Sequence, residues 1–213
     1  MTPKQIMFDK KGPLVAAALR ERGFDACYVR TAVEAVQAVL AAIPSGSSVS
    51  YGGSATVDSL DLKRLLRERG NNIIERERPT FSPDEARELK KQVMFADAFL
   101  MSSNAVTEDG ILVNIDGYAG RVAPLCAGPD SIIMPVGMNK VEKDINAAIN
   151  RVRTYTAPMN SQRFASATRP CFKTGMCHNC KASDTICAQV LITRYCHPVG
   201  RIKVILIGEE FGM

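Results

Sequence analysis

Three groups of residues in this chain combine types and spacings that could do chemistry. The first is Ser50-Tyr51-Gly52-Gly53-Ser54-Ala55-Thr56, where a strand pattern enters two glycines and a helical pattern leaves. Glycines let backbone N–H groups turn toward a ligand, a helix start carries partial positive charge, and Ser54 and Thr56 add hydroxyls. That combination suits a phosphate or a carboxylate. It equally suits a tight turn in which Ser54 or Thr56 only caps the helix. The second group runs from Ser102 to Gly117 and carries Glu108, Asp109, Asn114 and Asp116 on polar loops around a strand. Carboxylates gathered at one sheet edge raise one another's pKa and can act as general acid or base. The plainer reading is a Glu-Asp-Gly hairpin turn, with Asn114 and Asp116 capping loops. The third group is Cys171-x5-Cys177-x2-Cys180-x6-Cys187. A C-x-x-C knuckle brings two thiolates to one metal, and the flanking cysteines complete a four-thiolate set for iron–sulfur or zinc. His178 and Cys196 are substitute ligands; reduced structural thiols, or a redox dithiol at Cys177 and Cys180, are the alternatives. Cys27, in a strand pattern, and Cys126, beside a helix, read as buried small apolar residues.

These groups must be held by a frame, and helical and extended patterns alternate along the chain. Helices are expected at Pro13 to Arg22, from the Thr31/Glu34 capping box to Ile43, at Val57 to Arg69, and from the Ser82/Glu85 capping box through Ala86, Leu89, Val93 and Ala96. Val141, Ile145, Ile149 and Val152 mark another. Strand patterns occupy Ala26 to Val29, Ser47 to Tyr51, Asn72 to Ile74, Ala98 to Ser102, Ile111 to Ile115 and Ser131 to Val136. Strands alternating with helices predict a mostly parallel, doubly wound α/β sheet. The Cys-rich stretch, roughly 157–188, reads as a loop insertion in a single domain spanning 1–213. Gln189 to Tyr195 and Arg201 to Ile207 are strand patterns joined by His197-Pro198-Val199-Gly200, which predicts a closing hairpin.

Composition narrows the function classes. The 213 residues are 46% apolar and 23% charged, which is ordinary globular usage and enough chain to bury a core without disulfides. The net charge of +5 is mild. Between Arg64 and Arg78 the basic residues alternate with Glu68, Glu75 and Glu77, which makes a solvated face rather than a nucleic-acid footprint. No run of about 18 apolar residues exists to span a membrane. The polar stretch Met1 to Lys11 lacks a secretory pattern. A cytoplasmic, reducing location is therefore expected, and there seven cysteines point to metal or redox chemistry before disulfides.

Tyr51-Gly-Gly-Ser-Ala-Thr, Ala96-Asp-Ala-Phe-Leu100, Asn104-Ala-Val-Thr-Glu-Asp-Gly, Leu112-Val-Asn-Ile-Asp-Gly117 and Gly120-Arg-Val-Ala123, in this order, resemble the LUD (lactate utilisation) domain family, on the pattern of lactate-utilisation protein C. The resemblance covers nearly the whole chain. It implies a fold like the NagB/RpiA/CoA-transferase superfamily, with the glycine-rich loop holding a phosphate, carboxylate or CoA-like group. By that resemblance Gly52, Gly53, Ser54, Thr56 and Asn114 become ligand residues and Arg121 a carboxylate clamp. Glu108, Asp109 and Asp116 become candidate acids. It further implies a small anionic metabolite and redox partner subunits; a homo-oligomer is a separate expectation. An iron–sulfur cluster on Cys171, Cys177, Cys180 and Cys187 stands ahead of zinc, because the family keeps redox company. The Arg169-Pro-Cys-Phe-Lys-Thr-Gly stretch is similar to that of members with such a Cys-rich loop. Two functions follow: binding an organic acid for its utilisation, as enzyme or complex subunit, or a non-catalytic electron-transfer or scaffold role.

Overall fold

The computed structural model describes residues 1–75 and 82–213, so Arg76, Glu77 and Arg78 of the mixed-charge stretch, and the Ala86 side chain, lie outside the description. Its strands are β1 Asp25–Val29, β2 Ser48–Tyr51, β3 Asn72–Ile73, β4 Ala98–Leu100, β5 Ala105–Thr107, β6 Leu112–Asp116, β7 Ser131–Gly137, β8 Val141–Glu142, β9 Gln189–Thr193 and β10 Ile202–Ile207. Six of them form one sheet in the order β1-β10-β7-β4-β2-β3, every neighbouring pair parallel. A smaller mixed sheet runs β8-β5-β6-β9.

The helices are α1 Pro3–Glu21, α2 Ala32–Ala42, α3 Ala55–Ser59, α4 Leu62–Glu68, α5 Pro83–Met94, α6 Val122–Ala127, α7 Ile145–Arg151, α8 Ala157–Ser161 and α9 Pro170–Thr174. The Thr31/Glu34 and Ser82/Glu85 capping boxes both form, so side-chain oxygens satisfy the first free N–H groups of α2 and α5. A third, Thr2 with Gln5, starts α1 at Pro3 instead of Pro13, which sits inside the helix. The single helix expected over Val57 to Arg69 is broken into α3 and α4 at Asp61, whose φ of 52° is left-handed.

Alternation along the parallel strands divides the core. Met134, Val204 and Leu206 point to the face covered by Val15 and Leu19 of α1. Ile133 and Ile205 point the other way, to Val39 of α2 and Leu62 and Leu66 of α4. This is the doubly wound α/β arrangement that alternation predicted. Among the described residues no helix is long and apolar enough to cross a membrane.

Three further expectations change. The closing hairpin does not form: β9 pairs with β6, while β10 lies between β1 and β7. Burial explains the separation. Val204 to Ile207 are fully buried and demand cover on both faces and neighbours on both edges, whereas β9 is part-exposed and suits the edge of the small sheet. The Cys-rich segment does not begin as a loop, because α7 continues through a π-helical turn, Val152–Thr156, into α8. Cys126 is exposed rather than buried, because α6 turns Val122, Pro124 and Leu125 inward; Cys27 is half-buried.

Candidate functional site

The strands β7, β4 and β2 are neighbours in the sheet, so the segments leaving their carboxyl ends converge. Gly53, Ser54 and Ala55 follow β2, Ser102, Ser103 and Asn104 follow β4, and Lys140 follows β7. Together with Ile115 to Arg121 and the turn from Thr156 to Phe164 they enclose a cavity of about 440 Å³. A π-helical turn often marks a functional site, and here it directs Thr156 and Asn160 into the wall.

Lys140 is the unusual member. It is 4% exposed, and its Nζ donates to Thr56 Oγ1 at 2.9 Å and to Ser102 Oγ at 3.0 Å. Among the described residues it forms no ion pair with a carboxylate. Burial, reinforced by the positive charges of Arg151 and Arg121, lowers its pKa from 10.5 to about 7. Backbone packing makes the amine inaccessible from behind: a Cβ on Gly212 would lie 3.1 Å from Nζ and 2.6 Å from Thr56 Oγ1.

Arg121 is positioned from several sides. Its backbone N–H donates to Asp116 Oδ2 at 2.8 Å, its Nε faces the same oxygen at 3.5 Å, and its Nη1 donates to Asn104 Oδ1 at 3.3 Å. Its Nη2 donates to the Ile115 carbonyl. Asp116 also accepts from the Tyr118 N–H at 3.1 Å, so its carboxylate organises the Tyr118–Arg121 turn. The buried Arg151 braces the floor, donating to the Asn104 carbonyl at 2.9 Å and Thr156 Oγ1 at 2.8 Å, with Glu142 at 3.4 Å. Among the described residues the wall thus carries the basic side chains of Lys140, Arg121 and Arg163 against one acidic side chain, Asp116, which Arg121 already engages.

The sequence model of the LUD domain matches residues 13–207. This chain belongs to the LUD domain family. Its fold is similar to that of a DUF162 family protein from Deinococcus radiodurans, with a TM-score of 0.55 at 16% identity, over 93% of this chain and 97% of that one. No curated protein matches the chain.

In this LUD domain the residues singled out by sequence fall into three sets. Gly53, Ser54, Asp116 and Arg121 are in the cavity wall. Thr56 holds the Lys140 amine from behind it, and Gly52 supports Arg121: a Cβ there would stand 2.4 Å from Arg121 Cγ. The Gly52 N–H is engaged by the Leu100 carbonyl at 2.8 Å. Ser54 caps α3 by accepting from the Val57 N–H at 3.3 Å. Asn114 is fully buried, its Oδ1 accepting from the Asn104 N–H, and does not line the cavity.

Glu108 and Asp109 are not brought to the cavity. They sit on the β5–β6 turn, which Gly110 closes with φ 85°, and pair with Lys11 at 2.6 Å and Arg22 at 2.6 Å. The hydroxyl of Thr107 holds the Asp109 carboxyl below its usual range, with Arg22 adding to the effect.

Lys140, Arg151 and the Thr156–Phe164 turn were not among the residues that motif reading singled out. A signal for Lys140 was present: it stands in the segment leaving the carboxyl end of the apolar run Ser131 to Val136, as Gly53 and Ser54 stand in the segment leaving theirs.

The four cysteines of the LUD domain's Cys-rich segment differ in exposure. Cys171 is buried on α9, Cys177 is exposed, and Cys180 and Cys187 are half-buried. Burial pushes the Cys187 thiol up to about 11, and Cys171, Cys177 and Cys180 add to the rise. No group of three or more His, Cys, Asp or Glu among the described residues is arranged to hold a metal ion. His178 is hydrogen-bonded to Thr174 at 2.8 Å, and Cys196 is buried at the entry to β10, where it accepts from the Ile202 N–H.

Arg169 fastens this segment. Its buried guanidinium donates to Ser161 Oγ at 2.8 Å and to the Asp184 carbonyl at 2.8 Å, while Asp184 accepts from both the N–H and the hydroxyl of Thr168. Arg169→Leu should cost about 1–3 kcal/mol in denaturant unfolding, because it strands the buried Ser161 hydroxyl and removes the charge facing Asp184. It should also expose Cys171 to a thiol reagent. Unchanged stability and labelling would show that the fastening is dispensable.

Proposed function

We propose that this LUD domain binds a small organic carboxylate in the cavity beyond β2, β4 and β7, and serves the lactate-type organic-acid utilisation with which the family is associated. The observation that carries the reading is the charge of the wall: three basic side chains, one of them buried with no acidic partner among the described residues, against a single acidic side chain already engaged. A ligand carboxylate would supply the missing negative charge, and low local polarity would strengthen its pairing with Arg121. Ser54, Ser103, Thr156 and Asn160 are polar groups in the same wall, suited to hydroxyl or carbonyl oxygens of the ligand. In this reading Asp116 is a positioning residue for Arg121.

Titration calorimetry with lactate, pyruvate, inorganic phosphate and coenzyme A tests it. The short carboxylates should bind, weakening as ionic strength rises. Binding of phosphate or coenzyme A alone would replace the carboxylate with a phosphoryl ligand, and binding of none would end the reading.

A second reading keeps an electron-transfer or scaffold role for Cys171, Cys177, Cys180 and Cys187. The mutual influence of their thiols on Cys187 favours it, whereas the described side chains do not form a metal-holding group. Iron, sulfide and zinc analysis of anaerobically purified protein decides: metal lost in Cys177→Ser/Cys180→Ser would support it, and metal-free protein would remove it.

A further inference from the structure

We propose that Lys140 acts as a nucleophile in this cavity, condensing with the carbonyl carbon of a 2-oxo acid to form an imine. The proposal rests on the carboxylate-binding reading above and narrows the substrate class within it.

The argument starts from what holds Lys140. A lysine buried only for structure is normally paired with a carboxylate, which keeps its proton in place. Here the amine is flanked by two neutral hydroxyls, Thr56 and Ser102, forms no ion pair among the described residues, and belongs to the cavity wall. A lysine serving only as a charge clamp gains nothing from that burial, because burial beside Arg121 and Arg151 penalises the charge it would offer. The same surroundings favour the neutral amine. With a pKa of about 7 roughly half of the side chain carries a free lone pair at neutral pH, against less than about a thousandth for an ordinary lysine. The wall therefore presents a poised nucleophile next to a guanidinium that suits a carboxylate.

The chemistry balances without an added oxidant or reductant. The Nζ lone pair attacks the carbonyl carbon, and the carbonyl π electrons move to its oxygen. The nitrogen then releases a proton, the oxygen takes up two in succession and leaves as water while the lone pair closes the C=N bond, and the iminium so formed releases its remaining N–H proton. Amine and ketone become imine and water. The hydroxyls of Thr56 and Ser102, within hydrogen-bond distance of Nζ, are placed to relay the protons. A 2-hydroxy acid can occupy the same site but has no carbonyl for the amine to attack, which is why the substrate class is a 2-oxo acid.

Borohydride trapping tests the proposal. The full chain is incubated with pyruvate and sodium borohydride, digested and mapped by mass spectrometry, with lactate as the unreactive control. The expected result is a reduced adduct on Lys140 at least tenfold above that on exposed lysines such as Lys4 and Lys91, and absent with lactate. Thr56→Val and Ser102→Ala should slow its formation without moving it. An adduct spread evenly over surface lysines overturns the proposal. So does no adduct while calorimetry shows both pyruvate and lactate bound, an outcome that leaves the carboxylate reading intact. If neither acid binds and no adduct forms, both fall together.

Discussion

Lys140→Met should melt about 4–8 °C above the unsubstituted protein at pH 6 and should form no imine with pyruvate. The stability gain follows from the buried ammonium. A native pKa of about 7 against an unfolded value near 10.4 means that below pH 7 the side chain is protonated in both states, and the full burial penalty falls on the folded one. That penalty is on the order of 4 kcal/mol. Methionine removes it, while the Thr56 and Ser102 hydroxyls lose a partner each, leaving a net gain of about 2 kcal/mol. Between pH 7 and 10 the unfolded chain retains a proton that the folded chain sheds, so the stability of the unsubstituted protein rises with pH. The advantage of the variant should shrink by about 1.4 kcal/mol per pH unit across that window and reverse at about pH 8.5. Melting curves of both proteins at pH 6, 8 and 10 check this. A variant less stable at pH 6 would mean that the buried amine is not a burden on the fold, and the case for a functional Lys140 would lose its basis. Stability given up at one position in return for chemistry is a common feature of active sites.

The second large effect concerns Gly52 and Arg121. Arg121→Ala should weaken carboxylate binding tenfold or more, the usual cost of removing a charge-assisted pair from a part-buried site. Gly52→Ala should do nearly the same without touching a charge. A methyl group there would lie 2.4 Å from Arg121 Cγ and 3.0 Å from Cδ, and Cγ is too close to the backbone to step aside while the guanidinium stays. Overpacking adds a stability cost of about 1–3 kcal/mol. Because both substitutions act through one guanidinium, the double variant should bind no worse than Arg121→Ala alone, and a double-mutant cycle measures this. Additive losses would mean that Gly52 contributes to the ligand by another route. The glycine is thus needed for the close approach of a side chain, where its position before a helix pointed equally to an anion cradle.

The contrast between Gly52 and Lys140 shows which kinds of information lie along the chain. The alternation of apolar patterns already implied a mostly parallel α/β sheet. The Thr31/Glu34 and Ser82/Glu85 boxes marked helix starts, since a cap depends on residues three apart. The family resemblance grouped Gly52, Gly53, Ser54, Thr56, Asn114 and Arg121 as ligand residues with Glu108, Asp109 and Asp116 as acids, and of these the cavity wall contains Gly53, Ser54, Asp116 and Arg121. Glu108 and Asp109 read from the sequence as candidate acids or as a plain turn, and neither lies in the cavity wall. Whether they met a ligand or Lys11 and Arg22 depended on how α1 packs against the small sheet.

By itself, then, the sequence determined the succession of elements, the helix caps and the membership of the LUD domain family, all properties carried by neighbours or by ordered motifs. Only the tertiary structure decided that β9 and β10 part into different sheets, that a π-helical turn feeds Thr156 into the cavity, and that Lys140 loses contact with water between Thr56 and Ser102. The physical reason is that periodicity and capping act over a few residues. Burial and electrostatic environment are instead set by groups brought together from distant parts of the chain, and an amine's chemistry follows from that environment.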